Sequence, residues 1–327
     1  MTILVTGSAG HLGEALMRSL RAAGRPARGL DLQPSPFTDL VGSIGDRAFV
    51  AHAVAGARAV LHAATLHKPH VATHSDQDFL DTNVTGTLAL LEAAVAARVE
   101  ALVFTSTTSA FGAALTPGPG APAAWVTEDV TPIPRNIYGT TKVAAESLCE
   151  LFHRRDRLPV IVLRTSRFFP EEDDDPAVRA RYATANAQAI EMLYRRVDIE
   201  DVVAAHLLAL ERAGAIGFAR YIVSATTPFV PADLPALRRD AAEVVRRLYP
   251  DCAALFAARG WTLFPEIDRV YVNHRATTEL GWRPRHDFRR VLDRLAAGEE
   301  FRSELARDVG SKGYHARGVA AGPDPAA

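Results

Sequence analysis

Short apolar runs rich in Val, Ile and Leu recur through the first half of the chain, at 2–6 (TILVT), 27–32 (ARGLDL), 59–62 (AVLH), 101–105 (ALVFT) and 160–164 (VIVLR). Runs of this length bounded by turn residues read as buried strands. Between them, 12–23, 47–55, 77–97 and 138–155 place apolar residues at helical spacing. This strand–helix alternation predicts an α/β fold, a doubly wound parallel sheet covered on both faces. The second half is less regular: a helix at 201–212, a strand at 220–223 that returns to the sheet, and helices at 240–248 and 289–296. The expected organisation is a sheet domain over 1–168, completed by about 196–225. A smaller lobe follows from 169–195 and 226–300, then a tail over 301–327. Its end, GVAAGPDPAA, is small and Pro/Gly-rich and is expected to be disordered.

Composition narrows the function classes. With 48% hydrophobic and 23% charged residues the chain is an ordinary globular protein. A formal charge of −1 gives no global field for nucleic acid or an anionic membrane, and neither partner is expected. The two cysteines, Cys149 and Cys252, form no ligand spacing and no disulfide framework, which fits a reducing cytoplasm. The opening MTILVTG reads as a strand, and no apolar run approaches the ~20 residues that cross a bilayer. Lysine is scarce: Lys68, Lys142 and Lys312 are the only three among 37 basic residues.

Against that background three features carry chemistry. Gly7-Ser-Ala-Gly10-His11-Leu12-Gly13 follows the first strand and opens the first helix. Glycines there allow a tight turn and close approach to a pyrophosphate at the helix N-terminus. Asp31 closes the second strand, where a carboxylate accepts the two ribose hydroxyls of NAD and repels the 2′-phosphate of NADP. NAD is therefore the expected cofactor, with NADP disfavoured by Asp31 although Arg25 and Arg28 lie nearby. Tyr138 and Lys142 stand four apart, on one helix face. A cation about 4 Å from a phenol is worth ~4 kcal/mol at an effective dielectric near 20. The pair alone thus predicts a lowered Tyr138 pKa and an acid/base for an alcohol or carbonyl oxygen. The hydroxyl run Thr105-Ser-Thr-Thr-Ser109 at the end of the fourth strand supplies possible partners.

GSAGHLG, VLHAAT, Asn83-Val-Thr-Gly-Thr87, TSTTSAFG, YGTTK, RRVDIEDVVAAHLLAL and NHRATTELGWRPRHDF together resemble the extended short-chain dehydrogenase/reductase family, the epimerase/dehydratase branch, over residues 2 to about 295. The resemblance implies a Rossmann-type sheet with a C-terminal substrate lobe. It implies Thr107 as the catalytic hydroxyl beside Tyr138 and Lys142, with Ser106 next in line. Thr105 would end the strand near the nicotinamide ribose, and Thr108 and Ser109 would cap the turn. Ala63 and Ala64 would flank the cofactor, Ser43 and Ile44 its adenine edge, and Asn83 would steady the active-site backbone. The relatives' homodimer through the helices 77–97 and 138–155 is expected on the same basis.

Four positions depart from the branch. Ser43 replaces an Asp, and Arg167 replaces an Asn that meets the substrate diphosphate. Phe264 replaces an Arg, and His67, with Lys68 beside it, replaces a Lys. His67, Lys68, Ser106, Thr107 and Arg167 are the candidate substrate contacts. No metal site is expected: the acidic run Glu171–Asp175 reads as a solvated loop, and His67, His70 and His74 lie in a loop without cysteine. The sequence therefore points to an NAD-dependent oxidoreductase acting at a secondary alcohol or ketone carbon of a sugar-like substrate, of nucleotide-sugar epimerase type. A one-way dehydrogenase or ketoreductase on a non-nucleotide substrate is the alternative. A non-catalytic cofactor-binding scaffold or sensor is the third.

Overall fold

The computed structural model describes residues 2–313; the expected disordered end, 318–327, lies outside them. Among the described residues nine strands form two sheets: β1 (Thr2–Thr6), β2 (Ala27–Asp31), β3 (Leu40–Val41), β4 (Ala57–His62), β5 (Ala101–Thr107), β6 (Ala124–Val126), β7 (Val160–Thr165), β8 (Phe218–Val223) and β9 (Arg269–Tyr271). The large sheet has the order β3-β2-β1-β4-β5-β7-β8, every pair parallel. The chain winds outward from β1 to β3, then crosses back to β4 and winds the other way. The reversal leaves a crevice above the carboxyl ends of β1 and β4, where such sheets take ligands.

Alternating side chains fill two cores. Ile3, Val5, Val103, Ile161 and Leu163 face one layer of helices, and Leu4, Val60, Leu102, Phe104 and Val162 face the other. Both faces are covered, so these strands read as nearly continuous apolar runs. A third core, with Leu193, Leu237, Phe256, Phe288 and Leu292 among its members, holds the smaller lobe. Among the described residues no helix is long and apolar enough to cross a membrane.

Several boundaries move. β5 runs two residues past the expected end, so Ser106 and Thr107 belong to the strand. The expected helix over 77–97 is broken into a short turn, Asp76–Phe79, a widened π segment, Leu80–Thr85, and a regular helix, Gly86–Ala96. The expected helix over 240–248 begins at Leu234 and is interrupted at Asp240 (φ −157°, ψ 75°). The strands β3, β6 and β9 are only two or three residues long, too short to leave a periodic signal.

Candidate active site

The glycine loop sits at the crevice and is held by its neighbours. Gly7 has φ +75°, and a Cβ there would lie 2.7 Å from the Ala64 nitrogen. A Cβ at Gly13 would lie 1.9 Å from the Gly7 carbonyl oxygen, so the first helix, His11–Ala22, can approach its own loop only through glycine. The Ala9 N–H donates to Asp31 Oδ2 (3.0 Å), and the Gln33 N–H to Oδ1 (2.9 Å). The ribose-binding candidate thus also braces the loop, each oxygen keeping a second lone pair. Arg25 donates to Glu211 and Arg28 to the Ala53 and Ala55 carbonyls, so both are engaged away from Asp31. Ile44 is buried beside Gly86, Ser43 is exposed, and Leu12 is buried. Loop, helix start and carboxylate fit a dinucleotide.

Ala63 and Ala64 are fixed by a chain of polar contacts. The Ala64 N–H donates to the Thr6 hydroxyl (3.2 Å), which contacts His62 Nδ1 (2.8 Å). His62 Nε2 meets Thr87 Oγ1 (3.0 Å), and that hydroxyl donates to the Asn83 carbonyl (2.6 Å). Burial, with a smaller push from Lys142, lowers the His62 pKa to about 3, so the ring is neutral. One tautomer satisfies the chain, with the proton on Nε2 and Nδ1 accepting from Thr6. The Asn83 side chain grips the next loop: Oδ1 accepts from the Leu66 N–H (2.9 Å) and Nδ2 donates to the Leu66 carbonyl (2.9 Å). Nδ2 also donates to Thr141 on the helix Ile137–Asp156 (3.1 Å).

That helix carries Tyr138 and Lys142. The Asn136 side chain caps its N-terminus by accepting from the Gly139 N–H (3.0 Å). The Thr107 hydroxyl lies beside the Tyr138 phenol and lowers its pKa, and the Thr107 oxygen accepts from the Ser109 N–H (3.0 Å). Thr107, rather than Thr108 or Ser109, is therefore the cap of the turn Thr108–Phe111. Lys142 Nζ donates to the Thr105 carbonyl (2.6 Å) and lies 4.2 Å from the centre of the Phe104 ring. Burial pushes the Tyr138 phenol up to about 12, partly offset by Thr107. Burial also brings the Lys142 ammonium down to about 7, against the pull of Glu146. The pairing argument alone gave the opposite direction for Tyr138: it left out the desolvation of a phenol enclosed on all sides.

The hydroxyls that end β5 divide among separate partners. The Ser106 hydroxyl donates to Glu146 Oε1 (2.5 Å) and is not brought to Tyr138. Glu146 in turn takes a two-pronged contact from Arg164, Nη2 to Oε2 at 2.7 Å, with both side chains buried. Thr105 Oγ1 meets His206 Nε2 (2.8 Å), and His206 Nδ1 donates to the Val202 carbonyl (2.8 Å). Burial holds His206 near 4, so its neutral Nε2 accepts from Thr105. Sequence reasoning missed both His206 and Glu146. Glu146 carried one signal, its position four residues after Lys142.

The mouth of the cleft differs most from expectation. The acidic run is only in part a solvated loop: Glu172 and Asp175 are exposed, but Glu171 and Asp173 each expose only 7% of their side chains. Glu171 meets His11 (2.9 Å) and accepts from the Lys312 N–H (2.9 Å). Burial opposes ionisation of Glu171, but His11 and these donors bring it down to about 2. Asp173 bridges Arg167 (2.5 Å) and Arg195 (3.2 Å), while Asp174 faces Arg167 (3.4 Å) and Lys68 (3.5 Å). His67, neutral because burial lowers it to about 3, stacks on Phe169 at 5.5 Å. Cations drawn from three elements neutralise the run, which spacing along the chain could not reveal.

The sequence profile of the NAD dependent epimerase/dehydratase family matches residues 3–218. The chain belongs to that family. Across its length this family member is 26% identical to a UDP-glucose 4-epimerase of Azospirillum brasilense, covering 95% of this chain and 94% of that protein. The uncharacterized protein y4nG of Sinorhizobium fredii is 34% identical over 169 residues; they cover 50% of this chain but only 40% of that protein's length. A crystal structure of a short-chain dehydrogenase/reductase superfamily protein from Agrobacterium tumefaciens with bound NAD superposes with a TM-score of 0.65. It is 26% identical, and the match covers 94% of this chain and 97% of that one.

Proposed function

We propose that this protein is an NAD-dependent oxidoreductase of the epimerase/dehydratase type, working at a secondary alcohol or ketone carbon of a sugar-like substrate. The contact between Tyr138 and Thr107, with Lys142 one turn on and seated against the strand beneath, carries the reading. NAD, held by the loop Gly7–Gly13, Ala63, Ala64 and Asp31, supplies the hydride acceptor when bound. Thr107 and Tyr138 together hold the substrate oxygen, and Tyr138 gives or takes its proton. A phenol near 12 is protonated at neutral pH, so it is ready to protonate a carbonyl-derived oxygen. In the oxidising direction it needs the nearby positive charge of Lys142, whose pKa of about 7 makes that charge depend on pH.

The likeness to a UDP-glucose 4-epimerase supports redox-neutral inversion at a sugar carbon. The engagement of Arg167 by Asp173, Asp174 and Glu191 favours the second reading, a net dehydrogenase on a non-nucleotide sugar. The deciding assay follows cofactor absorbance and product stereochemistry together on a sugar panel: an epimerase yields inverted product with no net NADH. Tyr138→Phe is expected to lower turnover by about 100-fold or more, the scale of lost general acid–base catalysis. Unchanged turnover in that variant would refute Tyr138 as the acid/base, whereas no turnover of any sugar by the unaltered protein would leave only the cofactor-binding scaffold.

A further inference from the structure

Lys68, Arg167 and Asp174 occupy a defined place above the catalytic residues. Lys68 begins the turn Lys68–Ala72 after β4, which packs against the helix carrying Tyr138. Arg167 lies two residues beyond Thr165 of β7, and Thr165 is the register partner of Thr107. In the sheet β5 lies between β4 and β7. A carboxylate that touches both Lys68 and Arg167 therefore spans the carboxyl end of β5, where Thr107 sits.

Asp174 is that carboxylate, and its contacts to Arg167 and Lys68 are long. Its oxygen is 3.4 Å from Arg167 and 3.5 Å from Lys68, and 31% of its side chain is exposed. Charge-assisted bonds in good geometry are about 2.7–2.9 Å long. Asp173 is different, buried and 2.5 Å from Arg167, and so is Glu191, buried among Arg167, Arg195 and Arg196. The cations Lys68, Arg167, Arg195 and Arg196 face the carboxylates Glu191, Asp173 and Asp174. One positive charge is in excess, and a second appears if Asp174 swings away.

We propose that Lys68 and Arg167 receive a single anionic group on the substrate, a carboxylate or a phosphate monoester, and that Asp174 is the internal carboxylate it displaces. This rests on the oxidoreductase reading for the word substrate, but the binding itself does not require turnover. Asp173 and Glu191 keep the remaining arginine charge balanced, so the cluster suits one anionic group better than the diphosphate of a nucleotide sugar. Asp174 disfavours uncharged sugars indirectly, because they offer nothing in exchange for its two cationic contacts.

Calorimetric titration of the full chain with glucuronate, glucose 6-phosphate, glucose and UDP-glucose tests the proposal. At least one singly anionic probe should bind more tightly than glucose, and which one does so distinguishes carboxylate from phosphate. Lys68→Met should weaken that probe about tenfold, the scale of one hydrogen bond to a charged group, with glucose unaffected. Asp174→Asn should strengthen it about twofold to fivefold, since a partly exposed competitor of modest strength is removed. Anionic probes that bind no better than glucose overturn the proposal. So does an Asp174→Asn variant with unchanged affinity, or UDP-glucose binding most tightly and losing that affinity in Lys68→Met. If the unaltered protein turns over no sugar on the panel while these affinities shift as stated, the anion site stands and the oxidoreductase reading falls.

Discussion

Thr105, Ser106 and Thr107 carry similar hydroxyls, yet each meets a different partner: His206, Glu146 and Tyr138. Alternation sends Thr105 and Ser106 to opposite faces, toward His206 and toward the helix Ile137–Asp156, while Thr107, where the strand ends, meets that same helix nearer its N-terminus. Of the three, only Thr107, at the last position of β5, reaches Tyr138. Thr107→Val is expected to lower turnover by about 100-fold, as for removal of one donor to a reacting oxygen. Ser106→Ala should leave turnover near normal while lowering stability by about 1–3 kcal/mol, because the buried Glu146 loses a hydrogen bond. Steady-state kinetics and urea denaturation on both variants check this. The reverse pattern would move the catalytic hydroxyl one residue back. The motif register made Thr107 legible; the Ser106–Glu146 contact was not, because its residues lie 40 apart in sequence.

The helix Ile137–Asp156 unites site and core through one repeated spacing. Tyr138, Lys142, Glu146 and Glu150 follow at intervals of four and descend a single face from the cleft to the sheet edge. Lys142 rests on the Thr105 carbonyl, Glu146 on Arg164 and Ser106, and Glu150 on Arg220 at 2.7 Å. Arg164 also stacks 4.8 Å from the Phe111 ring, which ties β7 to the turn below Thr107. Glu146→Ala leaves a buried guanidinium without its carboxylate and should destabilise the fold by about 3–5 kcal/mol, read from chemical denaturation. A loss below about 1 kcal/mol would mean that water or Glu150 reaches Arg164. Tyr138 and Lys142 were legible because both partners lie within one turn. Arg164 was not, because its partner belongs to another element.

At the scale of the whole molecule, buried neutral histidines set the response to acid. Burial holds His62 and His67 near 3 and His70 and His206 near 4. Unfolded, each would take a proton below about 6.5, so the unfolded chain binds more protons from there down to pH 4. Stability must therefore fall as pH drops below about 6.5. Glu171, held near 2, adds stability above its unfolded value of 4.5 and loses it as pH falls toward 2. Lys142, lowered from 10.5 to about 7, has the same sign at higher pH: stability rises with pH between those values. Tyr138, raised from 10 to about 12, opposes folding only above pH 10. Melting temperature should accordingly be highest between about pH 7 and 10 and decline steadily below 6.5. A melting temperature that stays flat from pH 7 to 4.5 would contradict the buried neutral state of these rings.

The sequence by itself determined the parallel sheet, the glycine loop, Asp31 and the Tyr138–Lys142 pair. Each depends on contacts or periodicities within one strand–turn–helix unit, and local spacing encodes such units. Only the tertiary structure decided what faces the cleft. Asp173, Asp174 and Glu171 look like a hydrated acidic run until nearby Arg167 is joined by Arg195, Lys68 and His11 from three distant stretches of chain. The direction of the Tyr138 shift was likewise beyond local spacing, because desolvation depends on everything packed around the phenol.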